Sequence, residues 1–130
     1  MVFVNTVDVL GDNALVDSII DGTIKEFRDE NVTIIGTFAF AVKDKLTLVD
    51  VPNVANIGAN AFLWTDALKT LILRKNSVCN LEATNALTGT QFYYNRGNIY
   101  VPDNLVDSYK SATNWSTFAA VITPLSELEE

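Results

Sequence analysis

The segments IIGTFAFAVKDKLTLVDV (34–51) and NIGANAFLWTDALKTLIL (56–73) state one pattern twice. Laid in register, Ile35 matches Ile57, Gly36 matches Gly58, and Ala39-Phe40 match Ala61-Phe62. Leu46, Val49 and Val51 then match Leu68, Leu71 and Leu73, all at an offset of 22 residues with no gap. A recurrence of this length constrains the fold more tightly than any composition figure. It marks a solenoid, in which each coil contacts chiefly its neighbours and cannot bury its apolar face alone.

The residues within one repeat fit that reading. Val49 and Val51 flank Asp50, the alternation of a strand with one face inward. Pro52 follows, and a proline cannot donate to a ladder. Val54 turns inward, and Gly58 permits a tight bend or close contact between coils. Ala61-Phe62 supplies one small and one large residue, so successive Phe rings are expected to stack as a spine.

Weaker copies extend the pattern. Leu81 stands where Ile57 stood, and Ala86-Leu87 near where Ala61-Phe62 stood, with a residue or two inserted. NIYVP (98–102) echoes LVDVP (48–52), which predicts a last strand containing Ile99 and Val101. Upstream, GTIKEFRDENVTIIG predicts a first strand around Ile24 to Phe27. The expected fold is therefore α/β, a short solenoid with about four short parallel strands in one domain. Residues 1–22 are expected as an N-terminal cap, 23–102 as repeats, 103–125 as a C-terminal cap and 126–130 as a frayed tail. In the first cap, Asp12 or Asn13 starts a helix, Leu15/Ile19 and Val16/Ile20 pair on one face, and Gly22 ends it. In the second, Asp103 is the expected helix N-cap, Leu105, Val106 and Tyr109 form a stripe, and Trp115, Phe118 and Ile122 seal the last coil.

Composition removes several function classes. There are 130 residues and no histidine, which excludes His-based triads, bases and metal sites together. The single cysteine, Cys79, has no partner for an internal disulfide and reads as a buried small apolar residue; a reactive or intermolecular thiol is the alternative. A net charge of −7 repels phosphate backbones and anionic lipid, so neither nucleic acid nor membrane is an expected partner. No phosphate loop, dinucleotide motif or Cys/His ligand cluster is present, and RDEN (28–31) lacks the order of a calcium loop. Asp44, Asp50, Asp66 and Glu82 are scattered singly at positions expected to face water. No catalytic residue, cofactor or metal is expected, and the N-terminus lacks the basic start and apolar run of a secretory signal.

The pattern IGTFAF…LTLVDVP and IGANAF…LKTLIL resembles the BspA-type leucine-rich repeats. The segment from LILRKNSVCN to VITP resembles the closing region of such proteins among gut bacteria and their phages. That resemblance implies a surface-exposed adhesion or protein-binding module, or a virion component of tail or fibre type, and not an enzyme. Its location would be the virion or the cell surface. Such repeats often carry a polar-Cys pair after Ala-Phe; here those positions read Val42-Lys43 and Trp64-Thr65.

Two stretches are candidates for contact with a partner. In LWTDA, Leu63 and Trp64 follow the inward Phe62 on a turn, so they cannot all point inward. Trp64 either folds over the coil edge or meets a subunit, or else it is an exposed ring that stacks on a sugar or anchors a partner. In TGTQFYYNRGN (88–98) the spacing stretches, since Leu73 to Val101 is 28 residues, and Phe92, Tyr93, Tyr94 and Arg96 crowd the insertion. Either these rings pack under the C-terminal cap or they form a binding loop on a rigid scaffold. The outward strand residues Asp50, Thr70 and Ile72 are expected to line a shallow concave face. The expected partner is a cell-surface glycan or protein, or a neighbouring virion subunit. The competing reading is a purely structural domain that forms a homo-oligomer.

Overall fold

The computed structural model describes residues 23–129 and, for secondary structure alone, Val9 and Leu10. Among the described residues, nine short strands form two parallel sheets. The larger contains β2 (Glu26–Arg28), β4 (Leu48–Asp50), β6 (Thr70–Ile72), β8 (Asn98–Val101) and β9 (Ile122–Pro124), in that order. The smaller contains β1 (Val9–Leu10), β3 (Ile34–Ile35), β5 (Asn56–Ile57) and β7 (Asn80–Leu81). Chain order alternates between the sheets from β1 to β8, so each of those coils contributes one strand to each, and β9 then adds to the larger sheet alone. The solenoid expected from the repeat is the fold observed.

Register follows the repeat. Phe27 pairs with Val49, Val49 with Leu71, Leu71 with Ile99 and Ile99 with Ile122, a row of inward side chains between the sheets. All five are buried, and Ile35, Ile57 and Leu81 close the same core from the smaller sheet. The Phe spine also forms: Phe40 and Phe62 stack at 5.2 Å and 5°, and Phe27 meets Phe40 edge-on at 5.0 Å. Each such side chain contributes about 1.5–3 kcal/mol by burial, shared between two coils. Gly58 shows why the Ile-Gly pair recurs. A Cβ on it would lie 2.9 Å from the Thr37 amide nitrogen, and its own N–H donates to the Ile35 carbonyl at 2.7 Å. Close approach of coils requires the glycine there.

Several expectations need correction. The first large-sheet strand is Glu26–Arg28, not Ile24 to Phe27. The smaller sheet was not anticipated, because two-residue strands carry no readable alternation. A fifth strand, Ile122–Pro124, lies within the segment assigned to the cap. The strand Val9–Leu10 extends the smaller sheet upstream of the residues assigned to repeats. The helix expected from Asp12 or Asn13 to Gly22 lies outside the described residues. After β8 come a 3-10 turn (Asp103–Leu105) and the helix α1 (Val106–Ser111). Asp103 caps neither; its carboxylate accepts the Ser126 N–H at 3.0 Å, so the expected frayed tail is tied down at Ser126.

The C-terminal segment seals the last coil through side chains. Tyr109 Oη accepts the Cys79 N–H at 2.8 Å, Trp115 Nε1 donates to the Cys79 carbonyl at 2.7 Å, and Asn114 Nδ2 donates to the Leu81 carbonyl at 2.7 Å. These bonds satisfy backbone groups at β7, the last strand of the smaller sheet. Pro124 in β9, the last strand of the larger one, has no N–H to offer a further strand.

The outer face of the large sheet also departs from expectation. Asp50 and Ile72 are 6% and 1% exposed, so neither lines an open concave surface. Arg28 Nη1 lies 3.0 Å from Asp50 Oδ2, and Arg74 adds a fork, Nε to Oδ1 at 3.1 Å and Nη2 to Oδ2 at 3.0 Å. Asp50 is the centre of a three-coil ion ladder rather than a solvated acid.

Candidate recognition surface

The connection from β3 to β4 is built of tight turns, and β5 to β6 repeats it. Ala39 N–H donates to the Gly36 carbonyl and Lys43 N–H to Phe40; Ala61 and Thr65 do the same to Gly58 and Phe62. In a turn of this kind the third residue takes positive φ, which suits Gly or Asn. The third residues here are Phe38 (φ 61°), Val42 (62°), Asn60 (60°) and Trp64 (58°). Only Asn60 is suited to it. A left-handed β-branched or bulky residue costs about 1–2 kcal/mol.

Burial does not explain that cost. Val42 is 65% exposed and Trp64 50% exposed. The two positions are equivalent in consecutive coils: Val42 N–H donates to the Leu63 carbonyl at 2.9 Å, and Trp64 N–H to the Thr88 carbonyl at 2.8 Å. The third coil places Gly89 at the matching point, with φ +86°. A Cβ on Gly89 would lie 2.4 Å from Trp64 Cε3 and 3.1 Å from Cζ3, so the indole occupies the space a side chain there would need. Leu63 is half-buried beside it.

The insertion after Gly89 is ordered by its own hydrogen bonds. Thr90, buried, donates Oγ1 to the Leu87 carbonyl at 2.7 Å. A 3-10 turn, Gln91–Tyr94, ends at left-handed Asn95, whose N–H reaches the Gln91 and Phe92 carbonyls. Gly97 follows at φ +74°, so close to Lys69 that a Cβ would sit 2.4 Å from its carbonyl oxygen. Gln91 joins this loop to the preceding coil, its N–H donating to the Leu68 carbonyl at 3.0 Å and its Nε2 to the Asp66 carbonyl at 2.9 Å.

Among the candidate side chains, the structure separates Phe92 from the rest. Phe92 is fully buried in the core, so it cannot meet a partner; its ring fills the turn from inside. Tyr93 and Tyr94 are 53% and 54% exposed, edge-to-face at 5.1 Å, and the Arg96 guanidinium lies 5.8 Å from the Tyr94 ring centre. Because residues 64–68 bond along residues 88–91, Trp64 and the Tyr93-Tyr94-Arg96 group belong to neighbouring turns on the same run of coils. Val42 was not singled out as a contact residue. Its offset of 22 from Trp64 was the available signal.

Reactive chemistry is sparse. Burial pushes the Cys79 thiol up to about 12, which keeps it protonated, and likewise raises Tyr109 to about 12. No cluster of three or more potential metal ligands occurs among the described residues. No helix among them is long and apolar enough to cross a membrane.

The family model described as BspA type leucine rich repeat region, in six copies, matches residues 2–84 and 23–105. Neither a search of curated proteins nor a search of solved structures returned a match.

Proposed function

The chain belongs to the BspA-type leucine-rich repeat family, whose repeats serve protein-binding and adhesion-type modules, and we propose that it is a non-enzymatic recognition module. In this reading it works on a phage virion, as a tail or fibre component, or on a bacterial surface; members of the family are often surface-associated. The observation that supports it is the exposed, left-handed Trp64 set against Gly89. Backbone strain that no burial offsets is a feature of ligand-contacting positions. Tyr93, Tyr94 and Arg96 supply side chains of the kind that dominate binding energy at interfaces, with Leu63 at the margin. The test is binding of a fluorescent, multivalent form of the domain to intact bacteria. Saturable binding lost in Trp64→Ala/Tyr93→Ala supports the reading, and binding that survives both changes removes it. The competing reading is an assembly domain whose rings are covered by its own copies. It requires a defined oligomer in light scattering at high micromolar concentration, and a monomer there eliminates it.

A further inference from the structure

Resting on that recognition reading, we propose that Trp64 is a stacking platform for a neutral hexopyranose of a cell-surface polysaccharide. The exposed large apolar side chains on this run of coils are chiefly aromatic rings. Val42, Trp64, Tyr93 and Tyr94 are half to two-thirds exposed. At roughly 150–250 Å² for a whole aromatic side chain they offer on the order of 400 Å² together. A single pyranose needs far less. Its axial C–H bonds form an apolar, weakly positive face that matches the negative face of an indole.

Three further features fit a sugar. The indole is held before any ligand arrives, by its backbone bond to Thr88 and by its seat on Gly89, so little ordering entropy is lost on binding. Acceptors for sugar hydroxyls stand on the same paired segments: Asp66 is exposed two residues beyond Trp64, and Gln91 uses its Nε2 on the Asp66 carbonyl, leaving Oε1 as an acceptor. The net charge of −7 selects against hexuronates and sialylated chains. A ligand of about a dozen heavy atoms gives one site a Kd of about a millimolar, and adhesion then depends on many copies acting together.

The test uses saturation-transfer NMR with methyl α- and β-glucosides, galactosides and mannosides, N-acetylhexosaminides and a hexuronate, together with tryptophan emission. The chain has two tryptophans, and Trp115 is buried, so a sugar-dependent emission change reports Trp64. The expected result is transfer to C–H protons of one face of a neutral hexoside, with binding weakened about tenfold or more in Trp64→Ala. Gly89→Ala, which displaces the ring without deleting it, is expected to weaken binding as well. No transfer from any hexoside at about 50 mM, binding unchanged in Trp64→Ala, or preference for the hexuronate would each overturn the proposal. The cell assay separates the two levels of inference. Binding abolished by periodate treatment of the bacteria supports a sugar. Binding abolished by protease but not periodate overturns the sugar while the recognition reading stands, and no binding to any strain removes both.

Discussion

The six-membered ring of Trp64 lies against Gly89, at the same turn position one coil further along, where a Cβ would fall 2.4 Å from Cε3. One residue presents the ring and the other makes room for it. Gly89→Ala is therefore expected to cost about 2–4 kcal/mol, from a left-handed alanine at φ +86° and from the displaced ring. Urea denaturation checks the cost. Native-state emission moving to longer wavelength checks that the indole has been lifted into solvent.

Val42 makes the complementary case. It holds φ 62° while 65% exposed, so little packing is lost when its side chain is changed. Asn60 shows which residue suits such a turn. Val42→Asn is expected to raise stability by about 1 kcal/mol, measured as an increased urea midpoint with an unchanged slope. A destabilised Val42→Asn would mean that the valine makes contacts that outweigh its backbone strain.

Much of this architecture was legible in residues 34–73, and the reason is physical. A coil must present the same residue types to each neighbour, so Ile35/Ile57, Phe40/Phe62 and Val49/Leu71 recur at the spacing that later appears as strand register. The smaller sheet was not legible, since a two-residue strand such as Asn56–Ile57 has no period to detect. Strand β9 was hidden because Ile122-Thr123-Pro124 pairs across a span that includes α1 and ends in a residue that reads as a breaker. The aromatic loop was located, but not which ring turns inward. Phe92 and Tyr93 are adjacent, and only the 3-10 turn decides between them. Asp50 was misjudged for a related reason: its Arg28 and Arg74 partners lie 22 and 24 residues away, with nothing local to mark them.

That ladder gives a third expectation. Asp50 is 6% exposed between two guanidiniums whose side chains are 32% and 27% exposed. Asp50→Ala would remove the carboxylate shared by two partly desolvated guanidiniums, with Glu26 still 3.5 Å from Arg28. Removing one partner of a fully buried pair costs about 3–5 kcal/mol, and the partial exposure of both arginines reduces the expected loss to about 2–3 kcal/mol. Urea denaturation of Asp50→Ala, Arg28→Met and the double variant measures it. The cycle should return a coupling energy of clearly nonzero size.

Cys79 offers a probe of the C-terminal seal. Its thiol is buried and held near 12, so a native sample should react with an aromatic disulfide reagent far more slowly than one in urea. Tyr109→Phe removes the hydroxyl that accepts the Cys79 N–H and leaves that donor buried, at a cost of about 1–3 kcal/mol. Labelling of Cys79 is expected to accelerate in Tyr109→Phe in proportion to that loss. Equal rates in the two proteins would show that the thiol is reached by a motion independent of the seal.

Asp29 gives the pH dependence, with a sign opposite to that of most carboxylates. It follows β2 at the level where later coils place Val51, Leu73 and Val101, and it is 3% exposed. Oδ1 accepts the Asn31 N–H at 2.8 Å, while Oδ2 is buried and has no hydrogen-bond partner among the described residues. Burial raises its pKa above 3.8, only partly opposed by the Asn31 hydrogen bond, and Glu30 raises it further. The folded state therefore holds the proton more tightly than the unfolded chain, and Asp29 destabilises the fold once both forms are ionised. That penalty is relieved as pH falls through the raised value toward 3.8. Asp103 acts oppositely: the Ser126 backbone and side chain hold its carboxyl below 3.8, so its contribution is lost as pH falls through that lowered value. Asp29→Asn keeps an acceptor for the Asn31 N–H and removes the charge. It is expected to be more stable than the parent at pH 7, with the difference shrinking on acidification across the window above 3.8, as read from urea midpoints at a series of pH values. A difference that stays constant through that window would assign the gain to packing rather than to ionisation.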